Sequence, residues 1–273
     1  MYEEPYRWVE AVGNRRTYLD EQFRQGSPVA VLTYDGGILL TTVSKGTPKL
    51  YEIYDRIALG GMGHPADLEK LRFSLLEMSH IEGFNRSPSD VTGARLVKYG
   101  VAPVIKQAFE EVYKAPFIVK LLVAELGQKP AKDALLTINY DGRFEEATGC
   151  AALAATSAVQ NAMITYLRQE MTSTLSLGRA IAASLRAWAL GDRAQRQAIE
   201  EHERGVDKEA SPLKPAEADA SVLAAHLREC AVERTIECAV LERNQPGSSK
   251  YRTLASEELQ RLLPVDLKAA HSS

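Results

Sequence analysis

The sequence of 273 residues predicts an α+β protein built as a four-layer αββα sandwich, with two antiparallel β-sheets between two layers of helices. Three observations predict this fold class. Apolar runs flank the tight-turn dipeptide Asp35-Gly36, pairs of segments carry helical periodicity, and strands alternate with helix pairs along the chain. The order is strands, two helices, strands, two helices, strands and a short helix, which supplies a helix layer for the outer face of each sheet.

A leading helix and a hairpin begin the chain. Residues 5–23 predict the helix, because apolar side chains recur at close to helical spacing, and the helix ends before Gly26. The apolar runs 29–34 and 38–43 lie on either side of Asp35-Gly36 and predict a β-hairpin. The apolar residues of the leading helix are Trp8, Val9, Val12, Leu19 and Phe23.

The next apolar run, residues 51–59, is rich in aromatic and β-branched side chains. It predicts a further strand that ends in a glycine cluster and a close backbone turn. Two helices follow, the first beginning near Pro65 and the second running from about residue 96. Pro103 lies inside the second helical pattern, and we expect a kink there because proline lacks the backbone N–H.

The second half of the chain repeats the alternation of strands and helices. Residues 117–126 and 134–140 predict strands, and a second Tyr-Asp-Gly turn follows at Tyr140. Residues 157–168 and 176–189 predict another helix pair. The remaining candidates are a strand at residues 234–241 and a short helix at residues 256–263.

The predicted organisation is one core with appendages. Residues 1–25 form an N-terminal segment, and residues 26–190 and 221–264 form the core, the latter supplying its closing strands and helix. Residues 191–220 are charged and almost devoid of large apolar side chains, which predicts a helical extension and a flexible linker. Residues 265–273 predict a frayed, flexible tail.

Composition excludes several classes of partner. Thirty-three basic and thirty-six acidic side chains give a formal net charge of -3, so there is no basic excess to bind nucleic acid or an anionic membrane. No segment approaches the ~20 apolar residues of a membrane span, and we expect a cytoplasmic protein.

Cys150, Cys230 and Cys238 are far apart and odd in number, which predicts free thiols. The five histidines show no ligand spacing, so we expect neither a metal site nor a cofactor.

Several short motifs follow one another along the first third of the chain. The stretch KLYEIYDRI at residues 49–57 is followed by GGMG at residues 60–63 and by DVTGARL at residues 90–96. Together with the rest of the chain, these motifs resemble the proteasome α-subunit family in its actinobacterial form. The resemblance implies a fold like that of the N-terminal nucleophile (Ntn) hydrolases. The charged segment 191–220 is the main departure, because it is longer than the family usually has there.

Proteasome subunits come in two kinds, and by this resemblance the catalytic β kind attacks with a threonine that cleavage after a glycine exposes. Here Gly26-Ser27 opens the first strand without a threonine, and no Asp or Glu lies between Gly36 and Tyr51 to support a nucleophile. The sequence therefore predicts a non-catalytic subunit, with no catalytic residues. The alternative is a self-processing hydrolase that cleaves between Gly26 and Ser27 and uses Ser27 as nucleophile, with Lys49 beside it.

The resemblance also implies a pocket between neighbouring α subunits that receives the C-terminal tail of an activating ATPase. Lys49 is the candidate cation for the tail carboxylate, since an ammonium pairs well with a terminal carboxylate. Gly26 and Gly63 are the candidate small residues that let the backbone of the tail approach. The alternative is a solvated surface lysine and two ordinary turn glycines.

The residues before and at the start of the leading helix are implied to converge on an axial pore as a gate. A frayed terminus is the alternative. The implied partners are a homo-heptameric α ring, proteasome β subunits, a ring-shaped AAA ATPase activator and protein substrates in transit. An isolated α+β binding module without ring partners remains a third possibility. The candidate gate residues are Met1, Tyr2, Glu3, Glu4, Pro5 and Tyr6.

Overall fold

The computed structural model describes residues 5–111, 113–171, 175–204 and 219–268. The strands are β1 (Val29–Tyr34), β2 (Gly37–Ser44), β3 (Leu50–Tyr54), β4 (Ile57–Gly63), β5 (Val119–Glu125), β6 (Ala134–Ile138), β7 (Phe144–Ala147), β8 (Cys150–Leu153), β9 (Thr235–Glu242) and β10 (Tyr251–Thr253). The α-helices are α1 (Pro5–Phe23), α2 (Pro65–Asn85), α3 (Gly93–Arg95), α4 (Ala102–Glu110), α5 (Ser157–Glu170), α6 (Leu177–Glu203), α7 (Ala220–Ala231), α8 (Ser256–Leu262) and α9 (Val265–Lys268).

The strands form two five-stranded sheets, with the orders β10-β9-β2-β1-β8 and β3-β4-β5-β6-β7, and neighbouring strands are antiparallel. Buried apolar side chains fill three spaces. One lies between the two sheets, one between the first sheet and helices α5, α6 and α7, and one between the second sheet and helices α2 and α4. The predicted αββα sandwich is therefore confirmed.

The first hairpin is as the sequence predicts, whereas the run 51–59 is not one strand. Its two halves are the paired strands β3 and β4, which turn at Asp55, where φ is 20°. The glycines are inside β4 instead of in a turn after it. A Cβ at Gly61 would collide with the side chain of Leu68, so the missing side chain lets α2 pack closely on β4.

The helix around Pro103 is irregular, as expected, and the irregularity is a π-helical turn just before the proline. The segment Leu96–Val101 is a π-helical turn between α3 and α4, and Pro103 lies in the first turn of α4. Because proline offers no backbone N–H, an interruption of the regular hydrogen-bond ladder before it costs little.

The boundary predicted at residue 190 lies inside a helix, and the predicted helical extension begins as part of that helix. Helix α6 continues without a break to Glu203, and Asp192, Ala194 and Gln195 on the continuation are buried. The charged residues there face outward on an amphipathic helix, which composition alone reads as a linker. Residues 205–218 of the predicted linker lie outside the described residues.

The closing region also differs from its prediction. Its first part is helix α7, which packs on α6, and the short strand β10 was not predicted, nor was β8 earlier in the chain. Helix α9 falls in the predicted tail, and its Leu267 is fully buried in the core. The rest of that tail, residues 269–273, lies outside the described residues. Among those that are described, no helix is long and apolar enough to cross a bilayer.

Candidate functional site

The three residues predicted to line a pocket lie around the end of β4. Lys49 directly precedes β3, and Gly63 is the last residue of β4, the antiparallel neighbour of β3. The Gly61 N–H donates to the Lys49 carbonyl at 3.0 Å, which fixes the Lys49 backbone beside β4. Gly26 precedes β1, and a Cβ there would meet the Met62 side chain. The fold therefore brings Lys49, Gly26 and Gly63 to one end of the sandwich.

The two glycines differ in what requires them. Gly63 has a φ of +132°, and a Cβ at this residue would collide with the carbonyl of Ile118. That carbonyl also accepts the His64 N–H at 2.8 Å, so the Ile118 backbone cannot easily move away from residue 63. At Gly26 the nearest neighbour is the movable end of the Met62 side chain. The fold itself thus demands glycine at residue 63, while at residue 26 the end of the Met62 side chain would have to shift to make room for a Cβ.

Lys49 carries a charge that its surroundings compensate incompletely. Burial lowers the pKa of its ammonium, Glu237 and Asp192 oppose that shift, and Arg234 adds to it. Within the described part of the chain, Lys49 makes no ion pair. An ammonium that is withdrawn from water and lacks a direct counter-ion gains more from an incoming carboxylate than a solvated surface lysine does.

Glu237 on β9 holds the connection between β2 and β3. One carboxylate oxygen accepts the backbone N–H of Lys49 at 2.9 Å, and the other accepts the hydroxyl of Ser44. The carboxylate thereby joins both ends of the loop at residues 45–48 and fixes where Lys49 begins β3. The sequence reading missed Glu237, because it lies 188 residues from Lys49 and only the pairing of β9 with β2 brings it near.

Ser27, the nucleophile of the alternative reading, is buried and fully engaged. Its hydroxyl donates to the Val43 carbonyl and accepts the indole N–H of Trp188 at 3.0 Å. The preceding carbonyl, of Gly26, accepts the side-chain amide of Gln195 at 2.7 Å. In this intact chain the Ser27 oxygen serves as a core hydrogen-bonding group, and the contacts described for it include no carboxylate.

The leading helix α1 is fastened to the end of α4. The Arg15 guanidinium donates to the carbonyls of Ala108, Phe109 and Glu111 at 2.8–3.0 Å, and it also contacts that of Lys114. A cation at the C-terminal end of a helix satisfies carbonyls that have no partner within the helix. Of the candidate gate, Met1, Tyr2, Glu3 and Glu4 lie outside the described residues, and Pro5 and Tyr6 are the first residues of α1.

A buried lysine that sequence reasoning missed joins the other end of α1 to the core. Lys120 of β5 is 6% exposed and donates to the carbonyls of Ala154 and Ala155 at 2.9 and 2.8 Å. Its ammonium lies 4.9 Å from the ring centre of Phe23 in α1. Burial lowers the pKa of Lys120 to about 8. The apolar neighbours of residue 120 in the sequence give no signal of this role.

A second polar cluster, also missed, lies between α6 and α7. The Asp192 carboxylate is 3.0 Å from His226 Nε2 and 2.8 Å from both the Arg196 Nε and the Arg234 Nη1 atoms. Burial favours a higher pKa for Asp192, but the hydrogen bond from His226 and the two arginines outweigh it and hold the pKa at about 2. Cys230 lies against the same carboxylate, with Sγ 3.6 Å from Oδ2. The spacing of four residues between His226 and Cys230 was the available sequence signal.

Comparison with known proteins gives consistent matches. The family model described as "Proteasome subunit" matches residues 25–203. A "Proteasome subunit alpha" of Streptomyces scabiei is 26% identical over 94% of this chain and 90% of the relative. The protein of the same name from Thermobifida fusca is 27% identical over 92% of the chain and 86% of the relative. That from Thermomonospora curvata is 32% identical over 68% of the chain and 81% of the relative.

Proposed function

Because this chain belongs to the proteasome subunit family, as an α-type subunit, we propose that it is a non-catalytic component of the ring through which substrates enter a proteasome core particle. In this proposal seven copies form the α ring, the ring stacks on proteasome β subunits, and residues 1–6 gate its axial pore. A ring-shaped AAA ATPase docks on the outer face and delivers protein substrates. The proposed compartment is the cytoplasm.

One observation carries the docking role. The Lys49 ammonium is partly withdrawn from water, its pKa is lowered by burial, and it makes no ion pair within the described residues. It lies where the ends of β3 and β4 meet, with Gly26 and Gly63 nearby. A C-terminal carboxylate would supply the missing counter-charge.

The state of Ser27 supports a non-catalytic role. An N-terminal nucleophile needs a free α-amine and a hydroxyl oxygen directed at substrate. The Ser27 hydroxyl is turned into the core by its hydrogen bonds with Val43 and Trp188. The β2 strand beside it ends in Thr42, Val43 and Ser44, none of which is acidic.

Exposed apolar side chains on α2 support an assembly. Phe73, Ile81 and Phe84 are 61%, 53% and 91% exposed, and their helical spacing places them on one side of the helix. Large apolar side chains grouped on one surface are typical of an interface with another chain. This surface belongs to the helix layer over the second sheet, which faces away from Ser27 and α6.

The docking role is tested in the complex with its partner β subunits and the ATPase that copurifies from the native host. We expect Lys49→Ala to abolish the stimulation of peptide cleavage by the ATPase, expressed as the ratio of stimulated to basal rate. Lys49→Arg keeps a cation and is expected to retain part of the stimulation. The matched control is Lys45→Ala, since Lys45 is exposed in the same loop. An unchanged ratio in Lys49→Ala would show that Lys49 does not bind the tail.

The self-processing alternative is tested by the intact mass of the purified chain. A subunit with a gate keeps its first residues, whereas a hydrolase that uses Ser27 loses residues 1–26. Detection of the truncated mass, together with a covalent inhibitor adduct on Ser27, would replace the proposed function by the enzymatic one.

A further inference from the structure

We infer that Asp192, His226 and Cys230 form a transition-metal site, best suited to zinc, which fastens helix α7 to helix α6. Each of the three side chains offers one ligand atom, and these atoms all lie within 4.8 Å of one another. The inference does not depend on the proposed function. It revises the expectation from the sequence that no metal site exists.

The separations of the three ligand atoms agree with one face of a zinc tetrahedron. His226 Nε2 and Asp192 Oδ2 are 3.0 Å apart, and Cys230 Sγ is 3.6 Å from each of them. Zinc binds nitrogen, oxygen and sulfur at about 2.0–2.3 Å, which separates neighbouring tetrahedral ligands by roughly 3.3–3.6 Å. Small movements of the side chains would therefore place all three at bonding distance from one ion.

The local fold holds these ligands in place. His226 and Cys230 are four residues apart on α7 and so project from one face of that helix, towards Asp192 on α6. Asp192 and Cys230 are buried, and the His226 side chain is only 11% exposed. A thiol, an imidazole and a carboxylate together favour zinc over magnesium or calcium, which prefer oxygen ligands alone. A water molecule would complete the tetrahedron.

Two arginines beside the cluster need an explanation, because they add positive charge. Arg234 Nη1 donates to Oδ1 of Asp192, the oxygen that faces away from His226 and Cys230, as an outer partner of a ligand does. Arg196 contacts Oδ2 through Nε at 2.8 Å and Cys230 Sγ through Nη2 at 3.1 Å. Its side chain is 38% exposed, so it can turn aside.

Charge balance is compatible with the bound ion. On binding, the Cys230 thiol releases its proton to solvent and becomes a thiolate. The +2 charge of zinc is then matched by one thiolate and one carboxylate, and the ligand shell is neutral. Where Arg196 keeps its contact with Cys230, it would donate to a thiolate, which is a stronger acceptor than a thiol. The rival reading is a closed network of ion pairs in which Cys230 only fills space.

The test is titration of the purified full-length chain, freed of metal by a chelator, with Co²⁺ as a spectroscopic stand-in for zinc. We expect one equivalent to produce the sulfur-to-cobalt charge-transfer band and the visible bands of a four-coordinate ion, and zinc to bleach both. No such bands at saturating Co²⁺ in the wild-type chain would overturn the inference.

Variants locate the site. Cys230→Ser and His226→Gln are expected to lose the charge-transfer band, while the controls Cys150→Ser and Cys238→Ser keep it. Zinc is expected to raise the thermal midpoint of the wild-type chain and to leave that of Cys230→Ser unchanged. Bands that persist in Cys230→Ser but vanish in Cys150→Ser or Cys238→Ser would place the metal elsewhere and also contradict the inference.

Discussion

The region around Lys49 and the charge cluster between α6 and α7 are close enough for Asp192 and Arg234 to affect the pKa of Lys49. Their charges are nonetheless compensated in opposite ways. Lys49 makes no ion pair in the described part of the chain, whereas Asp192 pairs with two arginines and a histidine. Lys49 therefore still lacks a direct counter-ion, whereas Asp192 already has three partners, one of which, Arg196, has to turn aside for a metal ion to bind.

The two regions also differ in their relation to the family. Lys49, Gly26 and Gly63 lie within residues 25–203, the part that the proteasome model matches, and α7 lies beyond it. The difference teaches that the family model covers the Lys49 region and is silent about the helix that completes the Asp192 cluster. Three changes sharpen the comparison, in order of expected effect.

Asp192→Ala should have the largest effect. It leaves Arg234, Arg196 and His226 without their carboxylate, and removing one partner of a buried ion pair costs about 3 kcal/mol or more. Because Arg196 is partly exposed, we expect the loss in the free energy of unfolding to lie near the lower end of that range. Urea unfolding of the purified chain measures it, with the exposed Glu200→Ala on the same helix as control. A loss no larger than in the control would show that the cluster does not stabilise α7.

Gly63→Ala should have an intermediate effect, because the new Cβ meets the Ile118 carbonyl at a φ of +132°. Such strain costs of the order of 1–3 kcal/mol. The matched control is Gly13→Ala in α1, where nothing lies within 4 Å of the new Cβ, and it should stabilise by about 0.5–1 kcal/mol. Thermal unfolding of both variants checks the pair. Similar midpoints for the two would contradict the structural requirement at residue 63.

Glu237→Gln should have the smallest effect and the most specific one. The Glu237 charge raises the pKa of Lys49, so its removal lowers that pKa further while the amide oxygen can still accept the Lys49 N–H. A tail carboxylate binds the protonated form, and stimulation by the ATPase should therefore fade at a lower pH than in the wild type. The pH profile of stimulation measures the shift. A shift to higher pH, or none, would exclude Glu237 as a counter-charge of Lys49.

Much of the fold could be predicted from the sequence because its signals are local. The Asp35-Gly36 turn fixes the register of β1 against β2, and the apolar periodicity of residues 177–190 marks α6. The prediction failed where composition misled. Charged residues after Gly191 predict a solvated helical extension and a linker, yet Ala194 and Gln195 on the helical part are buried against the core. A single apolar run also hid the turn at Asp55 between β3 and β4.

The candidate site was predictable in part. Lys49, Gly26 and Gly63 follow from the family resemblance, and the fold brings them to one end of β4. Glu237 and the Asp192 cluster were not predictable. Glu237 is 188 residues from Lys49, and His226 and Arg234 are 34 and 42 residues from Asp192. No local sequence pattern indicates contacts over such separations.

The sequence by itself determined the sandwich fold, the family, the lack of a threonine where the first strand begins and the lack of an acid between Gly36 and Tyr51. Those features depend on residue type, on periodicity and on short motifs, which need no coordinates. Tertiary structure alone decided the lowered pKa of Lys49, the hydrogen bonds of Ser27 and the meeting of Asp192 with His226 and Cys230. Burial and distance set these properties, because the cost of removing a charge from water and the strength of its pairing depend on which distant segments fold against it.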